Sequence, residues 1–253
     1  MFEKIKKYQF LFEELVKRDF KKKYKRTVLG MLWSLLSPLL MLLVMSLVFT
    51  NLYGRRTPHF TIYLFAGNLV FTYFKDATNG GMSSLVANAS IFTKVNVPKY
   101  LFLLSRNVSS LINFGVTLLI FFIFVAVDGL PFTWKFLLLV YPVGCLVVFN
   151  IGLGFILSAL YLFYKDMQYL YDIFTLLLMY LSAIFYSVER FYNKELFNLN
   201  PIYVYITYIR TIVIDGTIPN LVIHLLCLLY AAVAIVLGSW WYKRYNYKFL
   251  YYL

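Results

Sequence analysis

The sequence contains few charged residues for its length. Asp, Glu, Lys and Arg make up 14% of the 253 residues, whereas 62% are hydrophobic. About a quarter of the residues in soluble domains are charged, so this composition excludes an ordinary soluble domain. It predicts an all-α polytopic membrane protein, because helices are the spanning structures that satisfy their own backbone hydrogen bonds in lipid.

Residues that carry catalysis or bind metals are also scarce. The chain has two His and two Cys, and Cys145 and Cys227 lie in apolar runs without CxxC spacing. The motifs HExxH, GxSxG and GxxxxGK[ST] are absent, so we expect no catalytic residue, no metal site and no cofactor on this chain. His224 lies just inside the last apolar run, where three interpretations are open, namely an interhelical hydrogen bond, a proton relay and a ligand.

Six apolar runs divide the sequence. Most approach or exceed the roughly 20 residues that a helix needs to cross the hydrocarbon layer, so we predict six transmembrane helices. The second run is short and spans only if residues 75–78 form a polar turn in the headgroup layer. Pro38 inside the first run predicts a kink, since proline lacks a backbone donor. The runs are residues 28–53, 60–74, 107–127, 134–164, 169–188 and 220–242.

Positive charges are concentrated on one set of connections. Ten of the 24 Lys and Arg residues lie in residues 1–27, and most of the others follow the even-numbered runs. The positive-inside rule therefore places both termini in the cytoplasm. We attribute the net charge of +13 to this orientation and to attraction by anionic membrane lipid, and we expect no binding to nucleic acid.

The segments outside the runs have patterns of their own. Apolar residues recur at helical spacing within residues 1–27, which predicts an amphipathic cytoplasmic helix at the membrane surface, with simple lipid docking as the alternative function. Residues 80–106 form the main predicted internal loop. Residues 201–214 predict a short re-entrant or interfacial helix before the last span, with a surface loop as the alternative. The whole chain, 1–253, reads as one membrane domain, with 28–242 as the helical body and 243–253 as a cytoplasmic tail.

Aromatic residues are abundant, with 23 Tyr, 25 Phe and 4 Trp. Aromatic belts at the two membrane interfaces explain most of them. A second interpretation is that ring faces stack on sugars while tyrosine hydroxyls bond to sugar oxygens. Both interpretations remain open at this point.

Four sequence blocks occur in order between residues 18 and 210. They are RDFKKKYKRTVLGMLWSLLSPLL, SSLVANASIFTKVNVPKYLFLLS, FYKDMQYL and NPIYVYITYIR. Together they resemble the membrane subunits of ABC-type polysaccharide exporters, which move O-antigen or teichoic acid. In the third block Lys165 replaces the arginine that is common in the family, which removes a planar group capable of bidentate pairing.

The resemblance implies the permease subunit of an ATP-driven exporter in the bacterial cytoplasmic membrane. Such a subunit pairs with a second copy of itself and with two copies of a separate ATPase, which carries ATP and Mg. Its ATPase contacts would lie in the cytoplasmic loop between the second and third spans. The corresponding residues are Ser90, Thr93, Lys94, Val95, Pro98, Lys99 and Tyr100, and a second cytoplasmic turn has Lys165 and Asp166.

The implied substrate is a polysaccharide or teichoic acid carried on a polyprenyl diphosphate. The residues predicted to form its entry or a hinge are Arg18, Asp19, Lys21, Lys25, Arg26, Gly30, Trp33 and Pro38. The predicted channel-lining aromatics are Trp33, Phe49, Tyr53, Phe174, Tyr180, Phe185 and Tyr186. Two alternatives remain, namely a type-2 ABC exporter of a drug, peptide or lipid, and a membrane scaffold for a glycosyltransferase assembly.

Overall fold

The computed structural model describes residues 8–24, 27–53, 58–190 and 192–250, and in these ranges the chain forms helices and no strand. This confirms the all-α prediction. The helices are α1 (Gln9–Tyr24), α2 (Trp33–Tyr53), α3 (Phe60–Ala87), α4 (Ala89–Phe92), α5 (Tyr100–Val127), α6 (Val140–Phe163), α7 (Met167–Leu181), α8 (Pro201–Val213) and α9 (Leu221–Tyr245). Short 3₁₀ turns lie at Gly30–Leu32, Trp134–Leu139, Val188–Arg190, Lys194–Leu199 and Asn246–Leu250.

Apolar helices long enough to cross a membrane are present in the described chain. Three meet that condition by length and composition, at Tyr100–Val127, Trp134–Phe163 and Leu221–Tyr245. Shorter apolar helical segments lie at Trp33–Phe49 and Met167–Leu181. The predicted helical membrane fold is thus confirmed, while the count of six spans remains a prediction.

The sequence prediction was wrong around residues 75–78. No polar turn lies there, because α3 continues without a break to Ala87. The hydroxyl of Thr78 donates to the Phe74 carbonyl at 2.7 Å, so this polar residue is satisfied within the helix. The predicted loop at 80–106 is correspondingly shorter and covers residues 88–99, which include α4.

Helix α3 lies at the centre of the bundle and packs against α2, α5, α6 and α8. Most of its residues between Phe60 and Leu85 are buried inside the chain. Since protein surrounds much of this helix, it can carry Asn68, Thr72 and Asp76 without exposing all of them to lipid. This explains why α3 is not among the most apolar helices.

The tightest helix contact joins α6 to α9. A Cβ added at Gly238 would lie 2.1 Å from the Gly152 carbonyl oxygen, and one added at Gly152 would lie 2.3 Å from the Ala234 carbonyl carbon. Both distances are far below contact, so the two backbones touch where no side chain intervenes. Small residues allow this close approach in membrane proteins, where dispersion forces contribute much of the attraction between helices.

Helices α2 and α7 lie at the periphery. Of the residues in α7 only Tyr171 and Thr175 are buried, and Ile173 and Leu177 are each more than half exposed. The Tyr171 hydroxyl donates to Thr78 Oγ1 at 2.6 Å, which ties α7 to α3. Helix α2 packs on α3 and α5 with one face, and its other face is exposed.

Candidate functional site: a polar groove between α2, α3 and α5

Polar side chains form a stripe on each of two central helices. Residues three or four apart share one face of a helix. Such stripes within apolar helices are expected to face protein or a water-filled cavity, because polar groups are costly in lipid. On α3 the stripe is Asn68, Thr72 and Asp76, and on α5 it is Ser110, Asn113 and Thr117.

The two stripes face a cavity that α2 covers. This cavity has a volume of about 310 Å³, and α2 contributes Trp33, Ser34, Ser37 and Pro38 to its wall. A second cavity of about 290 Å³ extends toward α1 and includes Asp19. The two cavities share Asp76, Ser110 and Asn113, so they adjoin, and we call them together the polar groove.

The lining of the polar groove combines two kinds of chemistry. Hydroxyl, amide and carboxylate groups can donate to or accept from a ligand that has many hydroxyls. The rings of Trp33, Tyr73 and Phe114 add aromatic surface. This mixture suits a hydroxyl-rich ligand with apolar ring faces better than a purely apolar one.

Helix α1 is fixed at the end of the groove by a buried carboxylate. The side chain of Asp19 is fully buried, and its Oδ1 accepts from Arg18 Nη2 at 2.7 Å. Its Oδ2 lies 3.5 Å from Nε of Arg106 at the start of α5. Arg18 also donates to Asn88 Oδ1 at 2.7 Å, which adds a tie to the end of α3. The Arg-Asp pair of the first sequence block therefore anchors α1 to two other helices.

The predicted entry or hinge residues come together only in part. Asp19, Trp33 and Pro38 line the polar groove, and Arg18 holds Asp19. Lys21 is exposed on α1, and Gly30 has a φ of 51° in the turn before α2, a conformation that favours glycine. Their roles in substrate entry remain predictions. Lys25 and Arg26 lie outside the described residues.

The predicted ATPase-contact segment is exposed over its first half. Ser90, Thr93, Lys94 and Val95 are exposed, whereas Pro98, Lys99 and Tyr100 are half-buried. Val97 lies in sequence between these two groups and packs against Leu15 of α1 and Phe102 of α5. Helix α1 therefore contacts the buried side of the segment. The segment thus exposes Ser90 and residues 93–95, while Val97 fixes it to the bundle.

The C-terminal turn packs on the same segment, which the sequence did not indicate. Lys99 Nζ donates to the Asn246 carbonyl at 3.0 Å and lies 5.5 Å from the ring centroid of Phe249. The Phe249 side chain is fully buried, and burial lowers the pKa of Lys99 below its ordinary value. Residues 246–250 are therefore a folded part of this surface rather than a free tail.

The second predicted turn lies at the same end of the bundle. Lys165 and Asp166 are exposed between α6 and α7. One cluster joins the end of α3, the start of α5, the end of α6 and the end of α9, so the predicted ATPase-contact segment and the second turn lie at the same end of the bundle. The cluster includes Leu85, Leu103, Phe155, Leu162, Tyr242 and Phe249.

Of the predicted channel-lining aromatics, Phe49, Tyr180, Phe185 and Tyr186 lie together in the chain, whereas Trp33 lines the polar groove. Phe174 and Tyr180 are exposed on α7, whereas Phe185 is buried and stacks on Phe49 with ring centroids 4.6 Å apart. The Tyr186 hydroxyl donates to the Tyr180 carbonyl at 2.8 Å, and Trp33 lies in the polar groove. The side chain of Tyr53 lies outside the described ones. A channel lining from these residues remains a prediction.

A third cavity lies at the end of the bundle opposite α1, and we call it the distal cavity. Its volume is about 580 Å³. The stripe Tyr203, Thr207 and Thr211 on α8 was visible in the sequence at four-residue spacing, although we did not identify it there as a site. The wall comprises Pro58, His59, Tyr63, Ser187, Val188, Glu189, Lys194, Tyr203, Thr207, Arg210, Thr211, Ile214 and Asp215.

His224 is hydrogen-bonded to residues of other helical segments. Its Nε2 lies 2.8 Å from the hydroxyl of Tyr208 on α8, and the Tyr141 hydroxyl donates to its carbonyl at 2.8 Å. These contacts fit the interhelical hydrogen bond, one of the three interpretations of His224. In the described ranges no three His, Cys, Asp or Glu residues are grouped so that they could hold a metal.

Comparisons with known proteins give the family. Residues 11–214 match the ABC-2 type transporter family. The chain is 27% identical over 219 residues to an O-antigen export system permease protein, RfbA, of Myxococcus xanthus, covering 84% of both chains. It is 27% identical over 216 residues to an RfbA of Klebsiella pneumoniae, covering 83% of both, and 23% identical over 180 residues to the polysialic acid transport protein KpsM of Escherichia coli, covering 70% of both. The family match covers more than half of the chain, including most of α1, the polar groove and α8, so this membrane protein belongs to the ABC-2 type transporter family.

Proposed function

We propose that this protein is the permease subunit of an ATP-driven exporter of polysaccharide across the bacterial cytoplasmic membrane. The observation that carries the proposal is similarity to two O-antigen export permeases over more than four-fifths of both chains. The polar groove supports it, because a hydroxyl-rich chain needs polar partners inside an otherwise apolar bundle.

The proposed substrate is a polysaccharide on a polyprenyl diphosphate, with O-antigen or teichoic acid as the two classes considered. Lys17 and Lys21 are exposed on α1 and can meet an anionic head group at the membrane surface. The polar groove begins beside this helix at Asp19, so the first sugar units can follow the head group toward Asp76 and Asn113.

The proposed assembly has two copies of this chain and two copies of a separate ATPase that binds ATP and Mg. We place both termini in the cytoplasm, with six spans formed by α2, α3, α5, α6, α7 and α9. The exposed residues 90–95 and the turn at Lys165 and Asp166 then face the ATPase together. ATP-driven closure of the ATPase would move α1, the end of α3 and the start of α5 as a unit, since Asp19 ties α1 to α5 and Arg18 ties it to Asn88 after α3.

Deletion of the gene tests the proposal directly. We expect surface polysaccharide to disappear and to return with the wild-type gene. Co-expression with the candidate ATPase is expected to yield a complex that hydrolyses ATP in lipid. If surface polysaccharide is unchanged and no ATPase copurifies, the proposed function is wrong, and a changed resistance to drugs would instead favour the alternative exporter.

Two variants of α5 connect this test to the polar groove. Ser110→Trp fills the groove and is expected to stop export while the protein still inserts and binds the ATPase. Ile112→Trp places the same side chain on the exposed face of the same helix and serves as the matched control. Equal export by both variants would remove the groove from the transport path.

A further inference from the structure

The distal cavity is built from one face of α8. The opposite face of that helix, with Val204, Tyr205 and Ile209, is buried in the core. Tyr203, Thr207 and Thr211 face the cavity. Helix α8 thus has one face toward the core and another, with Tyr203, Thr207 and Thr211, toward the cavity.

A buried arginine holds the cavity wall in place. Arg210 donates through Nη1 to the Ala183 carbonyl at 2.9 Å and through Nη2 to the Tyr63 and Ile184 carbonyls at 2.9 and 3.2 Å. Its guanidinium carbon lies 3.3 Å from the centroid of the Tyr63 ring. The bonds of Arg210 therefore connect α8, the start of α3 and the segment that follows α7.

Backbone strain occurs at the same wall. In the described ranges, the non-glycine residues with positive φ are His59, at 52°, and Ala183, at 50°. His59 lines the cavity and its Nδ1 is hydrogen-bonded to the Asp128 side chain, and the Ala183 carbonyl accepts a bond from Arg210. Such strained conformations persist only where the surrounding structure enforces them, and they cluster at ligand sites.

Charged groups of both signs line the distal cavity, and they disfavour several classes of ligand. Glu189 and Asp215 disfavour a phosphate or another anion, while Lys194 and Arg210 disfavour a simple cation site. Burial raises the pKa of Asp215 above its ordinary value, and the nearby Glu189 carboxylate raises it further. The wall is more polar than apolar, which disfavours a lipid tail. A ligand that both donates and accepts at many positions fits this wall.

We propose that the distal cavity is a saccharide-binding site that holds a short segment of the glycan where the chain leaves the transporter. Sugar hydroxyls donate to the carboxylates of Glu189 and Asp215 and accept from Lys194, and sugar ring faces pack on Tyr203. The volume of about 580 Å³ lies within the range of small-molecule sites. This inference rests on the proposed export function.

Binding to the purified full-length protein in lipid nanodiscs tests the inference. The probe is a set of oligosaccharides released by mild acid from the surface polysaccharide of the source organism. Wild type is expected to bind them in saturation-transfer NMR. Thr207→Trp, which fills the cavity, is expected to abolish binding, and Glu189→Gln, which keeps the shape but removes a charged acceptor, is expected to weaken it by about tenfold.

The control variant is Thr217→Trp, which adds the same side chain at an exposed position outside the cavity and is expected to bind like wild type. Thermal unfolding of each variant identifies any that fails to fold, and Glu189→Gln remains informative if Thr207→Trp is unstable. Wild-type binding by both cavity variants overturns the inference, and so does stabilisation by Ca²⁺ alone with no saccharide binding. If deletion of the gene abolishes surface polysaccharide but wild type binds no oligosaccharide, this inference fails and the export function stands.

Discussion

Helices α6 and α9 meet backbone to backbone, whereas α7 meets the rest of the chain along one edge. Gly152 and Gly238 leave no space for a side chain between the first two helices. Only Tyr171 and Thr175 of α7 are buried. Close contact across small residues makes the α6–α9 pair a fixed frame, and the sparse contacts of α7 leave it free to pack on a further surface or to shift.

The polar groove lies on the boundary between these two kinds of packing. Its α3 and α5 walls belong to the central bundle, and its α2 wall belongs to the periphery. A shift of α2 therefore changes the width of the groove without disturbing the α6–α9 contact. In the proposed exporter, α3 and α5 would therefore form the fixed walls of the polar groove, and α2 would form a wall that can move.

The largest expected effect is at the α6–α9 contact. Gly238→Val puts side-chain atoms where the Gly152 carbonyl oxygen lies, so we expect a loss of more than about 4 kcal/mol and no folded protein. Gly144→Ala is the matched control, because an added Cβ there meets nothing within 4 Å. Yield of monodisperse protein in detergent measures the outcome. A normal yield for the valine variant would show that α6 and α9 are not fixed against each other.

The next largest loss of stability is expected for substitution of Arg210. Arg210→Met removes the donors that serve three buried carbonyls, and we expect a loss of about 3 kcal/mol, because buried acceptors then lack partners. Arg244→Met on exposed α9 surface changes the same charge and is the control. Thermal unfolding compares the two variants. Equal stability would mean that the distal wall does not depend on Arg210.

A smaller effect is expected where α1 joins the bundle. Asp19→Asn keeps the shape but removes the charge that Arg18 and Arg106 share, and we expect a loss of about 2 kcal/mol, discounted because Arg18 is partly exposed. Hydrogen exchange measures this local loss of stability. We expect faster exchange in α1 and unchanged exchange in α6. Glu14→Gln removes an exposed charge from the same helix and is expected to leave α1 exchange unchanged.

The smallest effect on stability is expected on α7. Phe174 is about half exposed at 51%, so Phe174→Ala is expected to change stability by less than about 0.5 kcal/mol. Phe121→Ala, at a fully buried position of α5, is expected to cost about 3–5 kcal/mol. Thermal unfolding measures both. Reduced export by a stable Phe174→Ala protein would support the predicted channel lining, and unchanged export would argue against it.

Local rules predicted α8 well and α3 only in part. The prediction of a helix at 201–214 agrees with Pro201–Val213, because Asn200 caps it by accepting from the backbone of Ile202 at 2.9 Å and Pro201 occupies its first turn. Lys75 and Asp76 looked like the end of a span, yet α3 continues past them. Protein packing around α3, which hydropathy does not measure, removes the cost of polar residues at that point.

Composition and the apolar runs were sufficient to predict an all-α membrane protein, and four sequence blocks gave the resemblance to polysaccharide export permeases. They did not indicate that Asp19 meets Arg106, that Tyr63 meets Arg210, or that Lys99 meets the C-terminal turn. Helical spacing determines which side chains share a face, because it is a local property of the backbone. Which face meets which depends on how closely two helices can approach, and contacts such as Gly152 with Gly238 set that distance only once the chain has folded.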